Sequence, residues 1–254
     1  MKKEFFGTPL IASEHGAGID ALTWYIHLLM LALFVGWGLY FLYALFRFRA
    51  SRQNRADHIG VRSHFSTYVE VGVAVIEAVL LIGFAIPLWA RSVEKFPAEK
   101  ESVVIRLTGR QFNWITRYPG ADGVFAKQDL KFLEASKNPL GVDPADPKGK
   151  DDIMVMTGSE MAVPVGTNVI VHISSLDVIH SFKVIPMRVN QDAIPGMSIP
   201  VHFKPTKLGT YPINCAQLCG VGHATMVGVL KVLSPADYAA WLKSKGGAGA
   251  NDFE

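Results

Sequence analysis

The sequence predicts a two-helix transmembrane hairpin, then an all-β sandwich or barrel, then a short C-terminal helix. Three observations predict it. Two long apolar runs occupy the first third of the 254-residue chain. Helical patterning then stops, and short β-branched runs punctuated by Pro and Gly take over. Near the end, Ser234-Pro235-Ala236-Asp237 carries the signature of a helix start: Ser at the N-cap, Pro at N1 and Asp at N3. Composition agrees, since 50% of residues are hydrophobic and only 19% charged, rich for a soluble protein. A net charge of +3 is too small to point to nucleic acid as a partner.

Residues 1–20 read as an external N-terminal segment. Residues 21–46 then give 26 positions without Asp, Glu, Lys or Arg. As a helix they span roughly 39 Å, more than the ~30 Å hydrocarbon core requires. Trp24, Tyr25, Tyr40 and Tyr43 lie near the two ends, where interfacial aromatics belong. A cleaved signal peptide fits less well, because its apolar run is shorter and Lys2 and Lys3 lie too far upstream. Residues 71–90 form a second run of 20, interrupted by Glu77, with Pro87 and Trp89 near its end. The hairpin is expected over 21–91, with helices at about 21–47 and 68–91. Its linker carries Arg47, Arg49, Arg52, Arg55 and Arg62 against Asp57 and Glu70. By the positive-inside rule this loop is cytoplasmic and both termini lie outside.

The external domain is expected over 92–245, with a flexible tail at 246–254. Strand-like runs occupy 102–108, 111–118, 152–156, 161–165, 168–174, 178–185, 197–203, 209–214 and 226–233. In 168–174, Val169, Val171 and Ile173 alternate with Ile170, His172 and Ser174, the pattern of a half-buried strand. Such short strands argue for an antiparallel sandwich or barrel. Residues 119–150, rich in Pro, Gly, Asp and Lys, read as a surface insertion with little core of its own. The terminal helix is expected from 235 to about 245.

Chemistry concentrates in Cys215-Ala-Gln217-Leu-Cys219-Gly-Val-Gly-His223-Ala-Thr-Met226, in the turn between two strands. Thiolate and imidazole suit copper, with thioether as a weak axial ligand. With one more His from a neighbouring loop, Cys219, His223 and Met226 would complete a mononuclear set. Cys215 is then one thiolate too many, and two thiolates four positions apart can bridge two ions. His180, in Asp177-Val-Ile-His180-Ser-Phe, best supplies the second imidazole. Taken alone, Cys-x₃-Cys also allows a strained disulfide or half of a zinc site, although Met is a poor zinc ligand. His172 and His202 sit in strand patterns and read as structural. His27, inside the first span, reads as a packing or hydrogen-bonding group. His15, His58 and His64 have no evident partners.

The chain resembles subunit II of the haem–copper cytochrome c oxidases nearly end to end. The family motif Cys-x-Glu-x-Cys-x₃-His-x₂-Met is matched by Cys215 to Met226 at every position but Gln217. Asp177 to Phe182 matches the first-histidine motif, Gln191-Asp192-Ala-Ile-Pro-Gly196 the segment facing subunit I, and Gly109-Arg-Gln-Phe-Asn-Trp114 through Tyr118-Pro119 resembles the aromatic strip. The resemblance implies a cupredoxin-like Greek-key domain holding a binuclear copper centre. Cys215 and Cys219 would bridge the ions, His180 and His223 bind one each, Met226 bind weakly, and Gln217 offer its backbone carbonyl. Family members with Glu at the Gln217 position also bind magnesium at the subunit I interface. An amide is a poorer ligand for a hard cation, so this departure counts against magnesium here.

The resemblance further implies an electron-receiving subunit of a proton-pumping enzyme. Electrons from cytochrome c, or an equivalent soluble or tethered donor, would pass through the copper pair to a haem of subunit I, where O₂ is reduced to water. Subunit I, subunit III and membrane lipid are the implied partners. No intramembrane histidine cluster for O₂ chemistry occurs in this chain, so no catalytic residue is expected in it. No Cys-x-x-Cys-His occurs either, which leaves the electron donor a separate carrier. The surface where electrons arrive often has Trp where this chain has Phe112; Trp114 is the nearest remaining indole, and Asp177 is a docking candidate. Glu70, 17 residues before Pro87, matches the family glutamate at a proton-channel mouth. Glu77, two helical turns deeper, faces subunit I or is kept neutral by burial. The long insertion leans bacterial, which implies a bacterial plasma membrane with both termini on the periplasmic side. Two other readings remain: a quinol-oxidase-type subunit without copper, and a membrane-tethered copper-delivery protein. The ligand set argues against the first, and the lack of a βαβ pattern against the second.

Overall fold

The structure is a computed structural model describing residues 9–52, 58–60 and 63–246. Arg55, Asp57 and Arg62 of the linker lie outside the described residues, as do residues 1–8 and 247–254. The chain divides into two compact units, Gly18–Arg91 and the remainder.

In the first unit, helix α1 spans Gly16–Arg47 and helix α2 Phe65–Val93. Both are long and apolar enough to cross a membrane. Their apolar side chains, among them Phe34, Leu39, Val75 and Ile82, are exposed, as expected of surfaces that face lipid. Within α2, Val79–Ala85 is π-helical, and Ile86 N–H donates five residues back to Leu81 O. Pro87 has no N–H to give, and its ring would strike the carbonyl four residues earlier. Widening the preceding turn accommodates both problems. Each helix begins several residues before its apolar run, at Gly16 and Phe65.

The second unit is a β-sandwich. Among the described residues it has ten strands: β1 Ser102–Arg110, β2 Asn113–Tyr118, β3 Ile153–Val155, β4 Glu160–Pro164, β5 Asn168–Ser175, β6 His180–Val184, β7 Val189–Ala193, β8 Ile199–Phe203, β9 Gly209–Cys215 and β10 Val227–Leu233. They assemble into two five-stranded sheets, in the orders β3-β2-β1-β5-β8 and β4-β10-β9-β6-β7. Ile105, Leu107, Trp114, Val171 and Ile173 from one sheet meet Phe182, Ile213, Leu230 and Val232 from the other in one core. The sheets are mixed rather than purely antiparallel, since β1 runs parallel to β5 and β4 parallel to β10. Sequence patterning reads periodicity but not direction, so it cannot register this. It also missed β7: Val189-Asn-Gln-Asp-Ala193 is too polar for a strand by propensity, and only Val189 and Ala193 are buried. Pairing with β6 forms it.

Three other segments pack on the sandwich. Residues before α1 form a strap: Ala12 is fully buried, its N–H donates to Pro186 O at 2.8 Å and its carbonyl accepts from Thr206 N. Ser13 Oγ donates to Met187 O at 2.7 Å. The insertion after β2 covers the outer face of the first sheet rather than standing clear of it. Arg117, 1% exposed, is held there by Asp152 at 2.8 Å and by Ala126 O, and Ala126 and Leu140 are buried with it. The C-terminal helix Pro235–Gly246 begins as its sequence predicts, with Ser234 Oγ accepting from Asp237 N. Trp241 stacks edge-on against Tyr118.

Candidate metal centre

The site is built at one end of the sandwich from three loops. The β9–β10 loop supplies Cys215 through Met226. The loop before β6 supplies Asp177 and His180. The β1–β2 turn supplies Gln111 and Phe112. β6 pairs with β9 so that Phe182 lies opposite Cys215, and Ala216 N donates to Ser181 O at 2.9 Å. This register sets His180 beside Cys215.

The donor atoms converge. Cys215 Sγ and Cys219 Sγ lie 3.9 Å apart. His180 Nδ1 is 3.9 Å from Cys215 Sγ, and His223 Nδ1 is 3.6 Å from Cys219 Sγ. Met226 Sδ is 3.8 Å from Cys219 Sγ, and Gln217 carbonyl oxygen 3.2 Å from Cys215 Sγ. Each sulfur therefore has its own imidazole, and the set ends in a thioether and a carbonyl. Both thiols are unbridged; a disulfide would hold the sulfurs near 2.05 Å. A soft ion binds thiolate at about 2.3 Å. Sulfurs closer together than twice that length can share an ion, and two ions can straddle the pair. The residues present thus fit a binuclear copper group in donor type, number and spacing.

Local chemistry supports the geometry. Burial, then neighbouring Cys215, pushes the Cys219 thiol up to about 11. Such a thiol holds its proton at neutral pH unless a cation displaces it. His180 is fully buried, and its Nε2 lies 2.8 Å from Asp177 Oδ1. That contact fixes the ring and turns Nδ1 toward the sulfurs. Burial alone would raise the Asp177 carboxyl, but hydrogen bonds from Gln111 N, His180 and Val178 N outweigh it and hold it below its usual range. Gly109 permits this placement, since a Cβ there would come within 3.0 Å of the His180 ring.

Among the residues predicted from sequence, His180, Cys215, Cys219, His223, Met226 and the Gln217 carbonyl are thus brought together. Asp177 joins them against His180. Phe112, from the β1–β2 turn, lies against the β9–β10 loop: a Cβ on Gly222 would come within 2.4 Å of its ring, and the ring is partly buried. Trp114 is fully buried in the core, 6.0 Å from the His180 ring. Asp192 lies exposed on β7, opposite Ser181. Glu70 and Glu77 are exposed on α2. His27 Nδ1 bonds Thr23 O at 2.7 Å, a hydrogen-bonding role inside the span. Sequence reasoning missed Gln111, whose Nε2 donates to Cys219 O at 2.7 Å. The two residues are 108 positions apart, and no local signal links them.

Comparison with known proteins agrees. The family model of the periplasmic domain of cytochrome c oxidase subunit II matches residues 103–233. The alternative cytochrome c oxidase subunit 2 of Bradyrhizobium diazoefficiens is 32% identical over 208 residues, covering 82% of this chain and 73% of that protein. Cytochrome c oxidase subunit 2 of Cereibacter sphaeroides is 28% identical over 249 residues, 93% of this chain and 78% of the relative. The crystal structure of the subunit II periplasmic domain from Bradyrhizobium japonicum is similar with 30% identity and a TM-score of 0.44, covering 61% of this chain and 99% of that one. The family model, which matches more than half of the chain, and the 32%-identical relative place the chain in the cytochrome c oxidase subunit II family of the haem–copper oxidases.

Proposed function

We propose that this chain receives electrons for the oxidase from a c-type cytochrome through a binuclear copper centre. The observation that carries the reading is the pair of thiol sulfurs 3.9 Å apart, each flanked by its own imidazole Nδ1. His180, Cys215, Cys219 and His223 would hold the two ions, with Met226 and the Gln217 carbonyl as weaker donors. When bound, the copper pair supplies a one-electron store whose ligands barely move between redox states. The chain's own part is rigidity. Asp177 locks His180, Gln111 ties Cys219 O to the β1–β2 turn, and Met226 is buried at 1% exposure. Phe112, lying against the loop and partly exposed, is the apolar contact for the donor; buried Trp114 cannot reach the surface. Asp177 thereby serves the centre more than the docking face.

The remaining assignments follow from the family. Asp192 faces subunit I, subunit III completes the partners, and Glu70 stands at a proton-channel mouth. The Arg-rich linker lies in the cytoplasm of a bacterial cell, with the β unit in the periplasm. The exposed amide of Gln217 gives a hard cation only a neutral oxygen, so we assign no magnesium to it.

The test is electron paramagnetic resonance with copper quantitation on the full chain in detergent. The strap with Ala12 and Ser13 belongs to the sandwich, so the chain should not be cut at the hairpin. Two coppers per chain, and the hyperfine pattern of one unpaired electron shared between equivalent nuclei, are expected. One tightly bound copper with a four-line spectrum overturns the binuclear reading.

A further inference from the structure

A second cluster lies on the outer face of the first sheet. The register sets Arg117 of β2 opposite Arg106 of β1, and Arg106 opposite His172 of β5. Three basic side chains therefore stand in one row across three strands. In the same register Thr108 faces Ser174. The insertion closes over this face, and Arg106, Arg117, His172, Thr108, Ser174 and Gln128 line a pocket beneath it. None of the described residues lining that pocket is a carboxylate.

Like charges directly opposite one another on a sheet are destabilising, and burial makes the repulsion worse. Asp152 makes direct contact with Arg117, through Nη2 at 2.8 Å and Nε at 3.0 Å, and acts on Arg106 at longer range, where burial and Arg117 outweigh it. Asp146 and Glu99 act at longer range, on Arg117 and His172 respectively. Arg117 is 1% exposed, yet its Nη1 has no hydrogen-bond partner among the described residues. On this face the Arg106 guanidinium makes a long 3.5 Å bond to Gln128 Oε1 and stacks over the Phe125 ring it shares with Arg117. Burial, then Arg117, pulls Arg106 below its ordinary range, and burial, then Arg106, does the same to His172. Neutral His172 still offers one N–H.

We propose that this pocket binds a small oxyanion of the phosphate class. Two guanidinium groups, the hydroxyls of Thr108, Ser174 and Ser198, an imidazole and an amide line it, a donor set that matches a multiply charged oxyanion. The bound anion supplies a countercharge in direct contact with Arg106, where Asp152 acts only at longer range. This site is independent of the metal centre and does not rest on the copper reading.

The probe is inorganic phosphate, titrated into the full chain in detergent against chloride at constant ionic strength. Binding is read by calorimetry and by phosphorus NMR line broadening. One phosphate per chain is expected. Arg106→Gln should weaken it by about tenfold or more, the loss of a charge-assisted bond, and Arg106→Lys should restore part of that. Arg106→Gln without phosphate should unfold no earlier than the wild type, because it also removes a like-charge pair; copper content should not change. Adenosine monophosphate as competitor separates the sources: competition assigns the site to a phosphate carried by a larger molecule, and none assigns it to the free ion. Phosphate binding no tighter than chloride, or binding equal in wild type and Arg106→Gln, overturns the proposal.

Discussion

At the residue scale, the metal centre is two layers of side chains with different legibility. That His180, Cys215, Cys219, His223 and Met226 converge could be expected from sequence, because copper chemistry favours those residue types and four of the five share one short loop. The layer behind them could not. Gly109 matters for a ring that passes over it, and Gln111 for a bond to a carbonyl 108 positions away; neither leaves a local pattern. Asp177 was read from sequence as a docking candidate, and its contact with His180 Nε2 at 2.8 Å is a second relation that the sequence did not reveal. That contact makes a prediction. Asp177→Asn preserves shape but removes the charge that favours an imidazole with Nδ1 free for metal. Copper affinity should fall about 10–100-fold, as measured by competition with a chelator, while the unfolding temperature of the metal-free chain stays close to wild type. An unchanged affinity would assign Asp177 to the surface after all.

At the element scale, periodicity located strands and spans, and long-range pairing decided the rest. β7 exists because β6 offers it a ladder, despite its polar sequence. The parallel pairs β1–β5 and β4–β10 follow from chain routing that no window of residues encodes. The insertion has few apolar residues, yet it covers a sheet face through buried polar groups. Asp152 there accepts from Arg117 and from Ala126 N. Asp152→Asn should destabilise the sandwich by about 3 kcal/mol, because it strands a buried guanidinium; denaturant unfolding followed by tryptophan fluorescence measures this. The terminal helix depends on a second carboxylate. Glu160 of β4 pairs with Lys231 of β10 and, at 2.9 Å, with Lys245 of the helix. Burial alone would raise the Glu160 carboxyl, but the two lysines outweigh it and hold it below its usual range. A depressed carboxylate stabilises above its unfolded pKa, ~4.3, and loses that contribution as pH falls through the folded value. Glu160→Gln should therefore cost about 1 kcal/mol at neutral pH, and the gap to wild type should close under acid. A gap that persists at low pH would mean the substitution acts through packing.

At the scale of the whole molecule, the division into a helical hairpin and a β unit was legible because the two solvents select different sequences. Lipid selects long uncharged runs, and water selects short alternating ones broken by turns. What composition hid is that the β unit also takes residues from before the first helix, since Ala12 and Ser13 bond to the turn between β6 and β7 across more than 170 positions. The metal donors all belong to this unit, and they come from both of the loops that β6 and β9 hold together. Copper bound there stabilises the folded β unit alone, by an amount set by free copper over its dissociation constant. At a hundredfold excess over that constant the gain is about 2.7 kcal/mol, enough to raise a domain of this size by several degrees. Chelating the copper should therefore lower the transition reported by near-ultraviolet dichroism, which senses buried Trp114 and Tyr118. The far-ultraviolet signal of α1 and α2 in detergent should persist through that transition in both states. If chelation shifts both signals together, the two units unfold as one; if it shifts neither, copper is not held by this thiol pair.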